Sequence, residues 1–232
     1  MNISEIILVS VTGGVIALDR TALFQIMISR PIVAAPLIGV VLGDPLTGIK
    51  AGLVTELLWI GQLPLGASIP PDETMASILV SAMSIWGKHF VGGSSEVSVA
   101  LAIILITPVA ILTQRMDHFI RNKNIASAHA ADKALNELNF RGVEKACTQG
   151  IKRFFLGYSL MIFVVLTVGA TAIPLIYPLV SGPFLTGLNR FYYVLPVIGI
   201  VSLLSSAKTK RSSPVFIISF LLFFGLFEAL NK

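Results

Sequence analysis

Three apolar runs, at about residues 154–180, 184–207 and 213–230, are each long enough to cross a bilayer core, which takes about 20 apolar residues of helix. Segments of this kind must satisfy their backbone hydrogen bonds internally, so helices are the expected form. The composition agrees. Of 232 residues, 55% are hydrophobic and 12% are charged, with a mean hydropathy of +0.86; a soluble domain carries roughly 25% charged residues. The chain reads as an all-α, polytopic integral membrane protein. Residues 1–232 form a single transmembrane domain, with room for about six to nine spanning or partly spanning segments.

Further apolar runs fall at 3–18, 21–43, 45–65, 74–91 and 96–114. No Lys or Arg precedes the first, so it is expected to stay as the first membrane helix rather than act as a cleaved signal. Arg30-Pro31 interrupts the second, because proline disfavours helix in the residue before it and cannot continue one. That run is expected as two short pieces. Residues 66–73 read as a Gly/Ser/Pro turn and Gly92-Gly93-Ser94-Ser95 as a flexible one. Broken or re-entrant helices are therefore expected inside the membrane.

Residues 115–153 differ in kind. They hold eight Lys/Arg and four Asp/Glu, interleaved with Phe119, Ile125, Leu135, Leu138 and Val143. This pattern predicts an insert of amphipathic helices on the cytoplasmic face. The basic loop Lys208-Thr209-Lys210-Arg211 belongs on the same face, because Lys and Arg are retained inside. Two spans separate the basic regions, which is consistent. The net charge of +5 is concentrated there, so it reports topology and not a nucleic-acid partner. The one cysteine, Cys147, excludes an intrachain disulfide framework.

Against this background, residues 43–78 stand out. They place Asp44, Lys50, Glu56, Asp72 and Glu73 in an apolar, glycine-rich stretch. Asp44 precedes Pro45 and reads mainly as a helix N-cap. Gly48, Gly52 and Glu56 are spaced four apart on one helix face, and the glycines allow another backbone close. Glu56 is different, because an intramembrane carboxylate is a functional-site hypothesis by default. Its structural alternative is a buried pair with Lys50 or Arg30. Asp72 follows Pro70-Pro71 and reads equally as a cap, with Glu73 suiting the helix dipole, or as part of a site at a broken-helix end. Gln62 must find partners away from water and is a better cavity residue than Trp59. His89, His118 and His129 form no constellation, and no nucleotide-binding, nucleophile or metal-ligand motif occurs. No catalytic residue and no cofactor is expected on this chain.

The segment resembles the membrane IIC component of the mannose/fructose/sorbose family of bacterial phosphotransferase systems. The shared features are Arg30-Pro31, Gly43-Asp44, Thr47-Gly48, Gly52, Glu56, Gly66-Ala67, Pro71-Asp72 and Ala76-Ser77-Ile78. A second match is His129-Ala130-Ala131-Asp132-Lys133-Ala134. The resemblance covers roughly residues 1–150; beyond that it is one of hydropathy. Pro70 and Glu73 stand where small or apolar residues are usual, and the chain is short at its C-terminus beside mannose members.

The resemblance implies a multi-pass protein of the cell inner membrane, assembled as an oligomer with a IID-type membrane subunit. It implies a hexose substrate and soluble IIA and IIB phosphocarriers, which bear the phosphohistidines. It places the sugar-binding residues at Glu56, Gln62, Gly66, Ala67 and Asp72. Two other functions stay open at this point: a non-transporting anchor or sensor that recruits phosphotransfer proteins, and a proton-coupled secondary transporter using Glu56.

Overall fold

A computed structural model describes residues 1–61, 71–176 and 182–206. These residues form seven helices: α1 Ile3–Thr21, α2 Pro31–Val41, α3 Pro45–Trp59, α4 Glu73–Gly87, α5 Ser95–Asn136, α6 Phe140–Ile176 and α7 Gly182–Ser206. No strand occurs among them. The expected run at 213–230 lies outside the described residues.

Helix length divides the protein into two kinds of element. α5, α6 and α7 are long and apolar enough to cross a membrane. α2, α3 and α4 have 11, 15 and 15 residues. At 1.5 Å per residue the longest of these reaches only about 22 Å, short of a bilayer core of about 30 Å. The broken-helix expectation therefore describes the α2–α4 region. Of the six to nine spanning or partly spanning segments expected, the described residues supply seven helices, three of them long and apolar enough to cross, because proline and capping residues cut the rest of the apolar sequence into shorter pieces.

The break at Arg30-Pro31 is real but is shaped differently from the two helical pieces expected over 21–43. Arg30 is the N-cap of α2 and Pro31 its first residue, where a missing N–H costs nothing. Residues 22–30 upstream contain no helix. Asp19 explains why: its carboxylate accepts from the Ile26 amide at 2.9 Å, the Ser29 amide at 3.0 Å and the Ser29 hydroxyl at 3.1 Å. The carboxylate thus ties down a loop in which Phe24, Gln25 and Met27 take positive φ.

α2 and α3 form a close hairpin. Gly43, at φ +80°, closes α2 in the left-handed conformation, and the Asp44 amide donates back to the Gly39 carbonyl at 2.8 Å. Asp44 then caps α3, accepting from the Thr47 amide at 3.1 Å. Along the seam the backbones touch. A Cβ on Gly48 would lie 2.8 Å from the Ala35 carbonyl oxygen and 2.9 Å from the Gly39 Cα. One on Gly52 would lie 2.8 Å from the Pro31 carbonyl oxygen. α4 packs on this hairpin and is buried almost throughout, and the Ser81 hydroxyl donates to the Ala35 carbonyl at 2.8 Å.

The polar block at 115–153 is helical, as expected, but it is not a separate layer of surface helices. α5 runs for 42 residues without a break, about 63 Å, and α6 for 37. The block is the continuation of two spanning helices into a hairpin turning at Glu137–Asn139. Asp117 and Tyr158 mark where it leaves the packed core. Both are buried, the Tyr158 hydroxyl donates to Asp117 at 3.1 Å, and Asp117 also holds Arg121 at 2.9 Å. Beyond them the hairpin is mostly exposed.

Gly48→Ala should lower the unfolding free energy by about 1–3 kcal/mol, the usual cost of overpacking. Gly187→Ala is the control, because nothing lies within 4 Å of its added Cβ. Thermal unfolding of the purified chain in detergent measures both. Equal midpoints for the two variants would refute the seam.

Candidate functional site

Four helix ends converge on the hairpin side of the core. α1 finishes there with Arg20 and Thr21, α2 starts with Arg30, α3 finishes just past Glu56, and α4 starts with Asp72 and Glu73. Ion pairs join them. Arg30 pairs with Glu56 through Nη2 and with Glu73 through Nη1, the latter at 3.1 Å. The Glu56 carboxylate also accepts the Ile32 amide at 3.2 Å, an N–H that the first turn of α2 leaves free. Arg20 Nη1 meets Asp72 Oδ1 at 2.6 Å, and the same oxygen accepts the Met75 amide at 3.0 Å.

This arrangement answers both questions that the sequence left open. Glu56 pairs with Arg30, not with Lys50; Lys50 instead reaches Glu96 at 2.5 Å and Ser95 at 2.7 Å. Asp72 is indeed the N-cap of α4, yet capping uses only one of its oxygens. Asp72 is 1% exposed, and Oδ2 has no hydrogen-bond partner among the described residues. Two nearby hydroxyls in sequence, Thr21 Oγ1 at the end of α1 and Thr74 Oγ1 in the first turn of α4, are likewise buried without a partner. Buried polar atoms are normally satisfied, so these mark a place where hydroxyl or amide groups of a ligand could bind. Three carboxylates and two guanidinium groups offer both acceptors and donors there.

Gln62, Gly66 and Ala67 lie outside the described residues, as does Pro70. Trp59 is buried but turns elsewhere. With Leu58, Pro71, Ile103, Phe191 and Leu195 it lines an apolar cavity of about 470 Å³ between α3, α5 and α7. Asp44 is more than a cap, because it also holds Lys88 at 2.9 Å. The sequence reading missed Arg20, Thr21 and Thr74, as well as the Asp117–Tyr158 contact. Arg20 carried a signal, since a charge ending an apolar run has to find a partner. The two threonines carried none.

Short helices whose charged ends meet at partly buried ion pairs, beside helices long enough to span, are the build of a membrane protein of the transporter class. Comparison with known proteins gives the family. The sequence profile of the PTS system sorbose-specific IIC component matches residues 3–228, and this chain belongs to that family. The match runs through the last third, where hydropathy alone was expected to agree.

The chain is 36% identical to the sorbose-specific EIIC component of Klebsiella pneumoniae over 115 residues, 50% of this chain and 40% of that protein. It is 26% identical to the mannose-specific EIIC component of Escherichia coli (strain K12) over 217 residues, 93% of this chain and 78% of that protein. The fructose permease IIC component of Bacillus subtilis (strain 168) is 26% identical over 94% of this chain and 76% of its own length. Among solved structures, one described as a membrane protein superposes with a TM-score of 0.73 at 25% identity, covering 100% of this chain and 94% of that one. A complex of the mannose transporter ManYZ with microcin E492 superposes at 0.62 and 24% identity, with the same coverage.

Arg30→Ala should cost up to about 3 kcal/mol, because it leaves two partly buried carboxylates without their shared cation. Adding Glu56→Gln to that variant should restore part of the loss. Thermal unfolding of the single and double variants decides it; additive losses would show that the groups are not coupled.

Proposed function

We propose that this chain is the sugar-translocating IIC subunit of an inner-membrane phosphotransferase system, and that its hexose site lies at the Arg20–Asp72 and Arg30–Glu56–Glu73 layer. The observation that carries the reading is Asp72 Oδ2, a carboxylate oxygen that is buried, held beside Arg20 and left without a donor among the described residues. A sugar hydroxyl would supply one. Glu56, fixed by Arg30 and the start of α2, would accept a second hydroxyl, and the guanidinium groups would donate to ring or hydroxyl oxygens. Gln62 and the Gly66-Ala67 turn belong to the same proposal by their sequence position between α3 and Asp72.

The site lies at the level where the α5–α6 hairpin leaves the core. That hairpin bears eight of the 17 Lys and Arg residues, so the positive-inside rule supports a cytoplasmic orientation for it. A sugar held at this layer would be close to the face where a phosphorylated IIB protein could receive it. Transfer to IIB, assembly with a IID-type subunit and an oligomeric state complete the reading; the mannose transporter structure, a ManYZ complex, supports the second of these. The phosphoryl chemistry belongs to the partners. The relatives' names include sorbose, mannose and fructose, which supports a hexose as the substrate.

Glu56→Gln should abolish phosphoenolpyruvate-dependent uptake while the chain still reaches the membrane and copurifies with its IID-type partner. Wild-type uptake in that variant would overturn the site. Accumulation of free sugar in place of sugar phosphate by the wild type would favour a secondary transporter. Assembly with the phosphocarriers without any uptake would favour an anchor.

A further inference from the structure

The side of the protein opposite the α5–α6 hairpin holds a cavity that the ion-pair layer does not reach. Its volume is about 260 Å³. Three helices supply its walls: Asn2 and Glu5 come from the start of α1, Leu42 from the end of α2, and Ile85, Trp86 and His89 from the end of α4. Glu5 and Trp86 are half-buried, and Asn2 and His89 are exposed. One oxygen of Glu5 accepts the Asn2 amide at 2.9 Å, and the other has no donor among the described residues. The Trp86 indole N–H and the His89 imidazole likewise have no protein hydrogen-bond partner among the described residues. Trp86 meets Phe90 edge-on, with ring centroids 5.1 Å apart.

An aromatic ring and an imidazole from the end of α4 meet a carboxylate and an amide from the start of α1 at a space of molecular size. This chemistry suits a small polyhydroxylated ring. The indole covers its C–H face, the carboxylate accepts from its hydroxyls, and the amide and imidazole can donate or accept. The Met1 ammonium lies close enough to the Glu5 carboxylate to offset its charge, so the lining selects no net charge, and no group of three metal-ligating side chains occurs among the described residues. The polar lining does not suit an acyl chain. We propose that this cavity is an outer binding site for a hexose, occupied on the non-cytoplasmic face before the sugar reaches the ion-pair layer.

The proposal rests on the permease reading for the identity of the ligand, and on the cavity for its place. Its position also fits an early site. His89 follows Lys88, and Leu42 lies two residues before Asp44. The Lys88–Asp44 pair, at 2.9 Å, ties the turn of the α2–α3 hairpin to the end of α4. A ligand in the cavity would sit beside the contact that secures the outer end of that hairpin.

The chain has two tryptophans, Trp59 and Trp86. Trp59→Phe therefore leaves Trp86 as the only indole reporter in the full-length chain. Reconstituted in nanodiscs, it should show a saturable change in fluorescence on titration with mannose, fructose or sorbose. The change should persist when Glu56→Gln is added. It should move to about fivefold to tenfold higher sugar concentration when His89→Ala is added, the loss expected for one hydrogen bond.

No saturable change with any of the three sugars overturns the proposal, as does a change abolished by Glu56→Gln or indifferent to His89→Ala. An independent measurement keeps tryptophan-containing protein intact. In the assembled transport complex, His89→Ala should raise the KM for uptake by the same factor and leave the maximal rate unaltered, and an unchanged KM overturns the outer site. The two readings fail separately: a Trp86 response without uptake removes the permease function but keeps the site, and uptake without a response does the reverse.

Discussion

Charge paired where water is scarce is the constraint on which the short helices depend. Isolated helices of 11 to 15 residues are marginal, and here each also ends at or beside an ionised group. Arg20 and Arg30 resolve both difficulties together. Each reaches carboxylates on another helix, so the same contacts that neutralise the charges also fix where the helix ends meet. Pairs of this kind contribute little net stability compared with apolar packing, but losing one partner is costly. They specify an arrangement more than they strengthen it. The second layer, Asp44–Lys88 and Lys50–Glu96, does the same at the other end of the α2–α3 hairpin.

The sequence made the class of fold legible, because apolar runs and scarce charge leave few alternatives. It also showed the break at Arg30-Pro31 and the cap at Asp44, where proline and aspartate act locally. What it hid was distance. Nothing in the spacing says that Arg20 meets Asp72, or that Lys50 passes over Glu56 to reach Glu96; the members of each pair lie dozens of residues apart. The polar block misled for a related reason. Amphipathic helix and water-exposed extension of a span give the same residue pattern, and only the absence of a breaker around Asp117 distinguishes them.

The two arginine-bearing helix ends bring guanidinium and carboxylate groups into one layer. The layer offers donors and acceptors at fixed positions, which is sufficient for recognition of hydroxyl groups. Asp117, buried and bonded to Tyr158, joins α5 to α6 at the level of that layer, so the base of the hairpin is tied to the core and its distal part is free of it.

The glycine seam has a consequence for affinity. Backbones in contact at Gly39, Gly48 and Gly52 leave the two arms of the α2–α3 hairpin no room to shift against each other. In the proposed sugar site Glu56, carried on one arm and held from the other, is then positioned before any ligand arrives. The entropy of ordering that carboxylate is lost when the chain folds and is not lost again at each binding event. Residues that never touch a ligand can in this way tighten its binding.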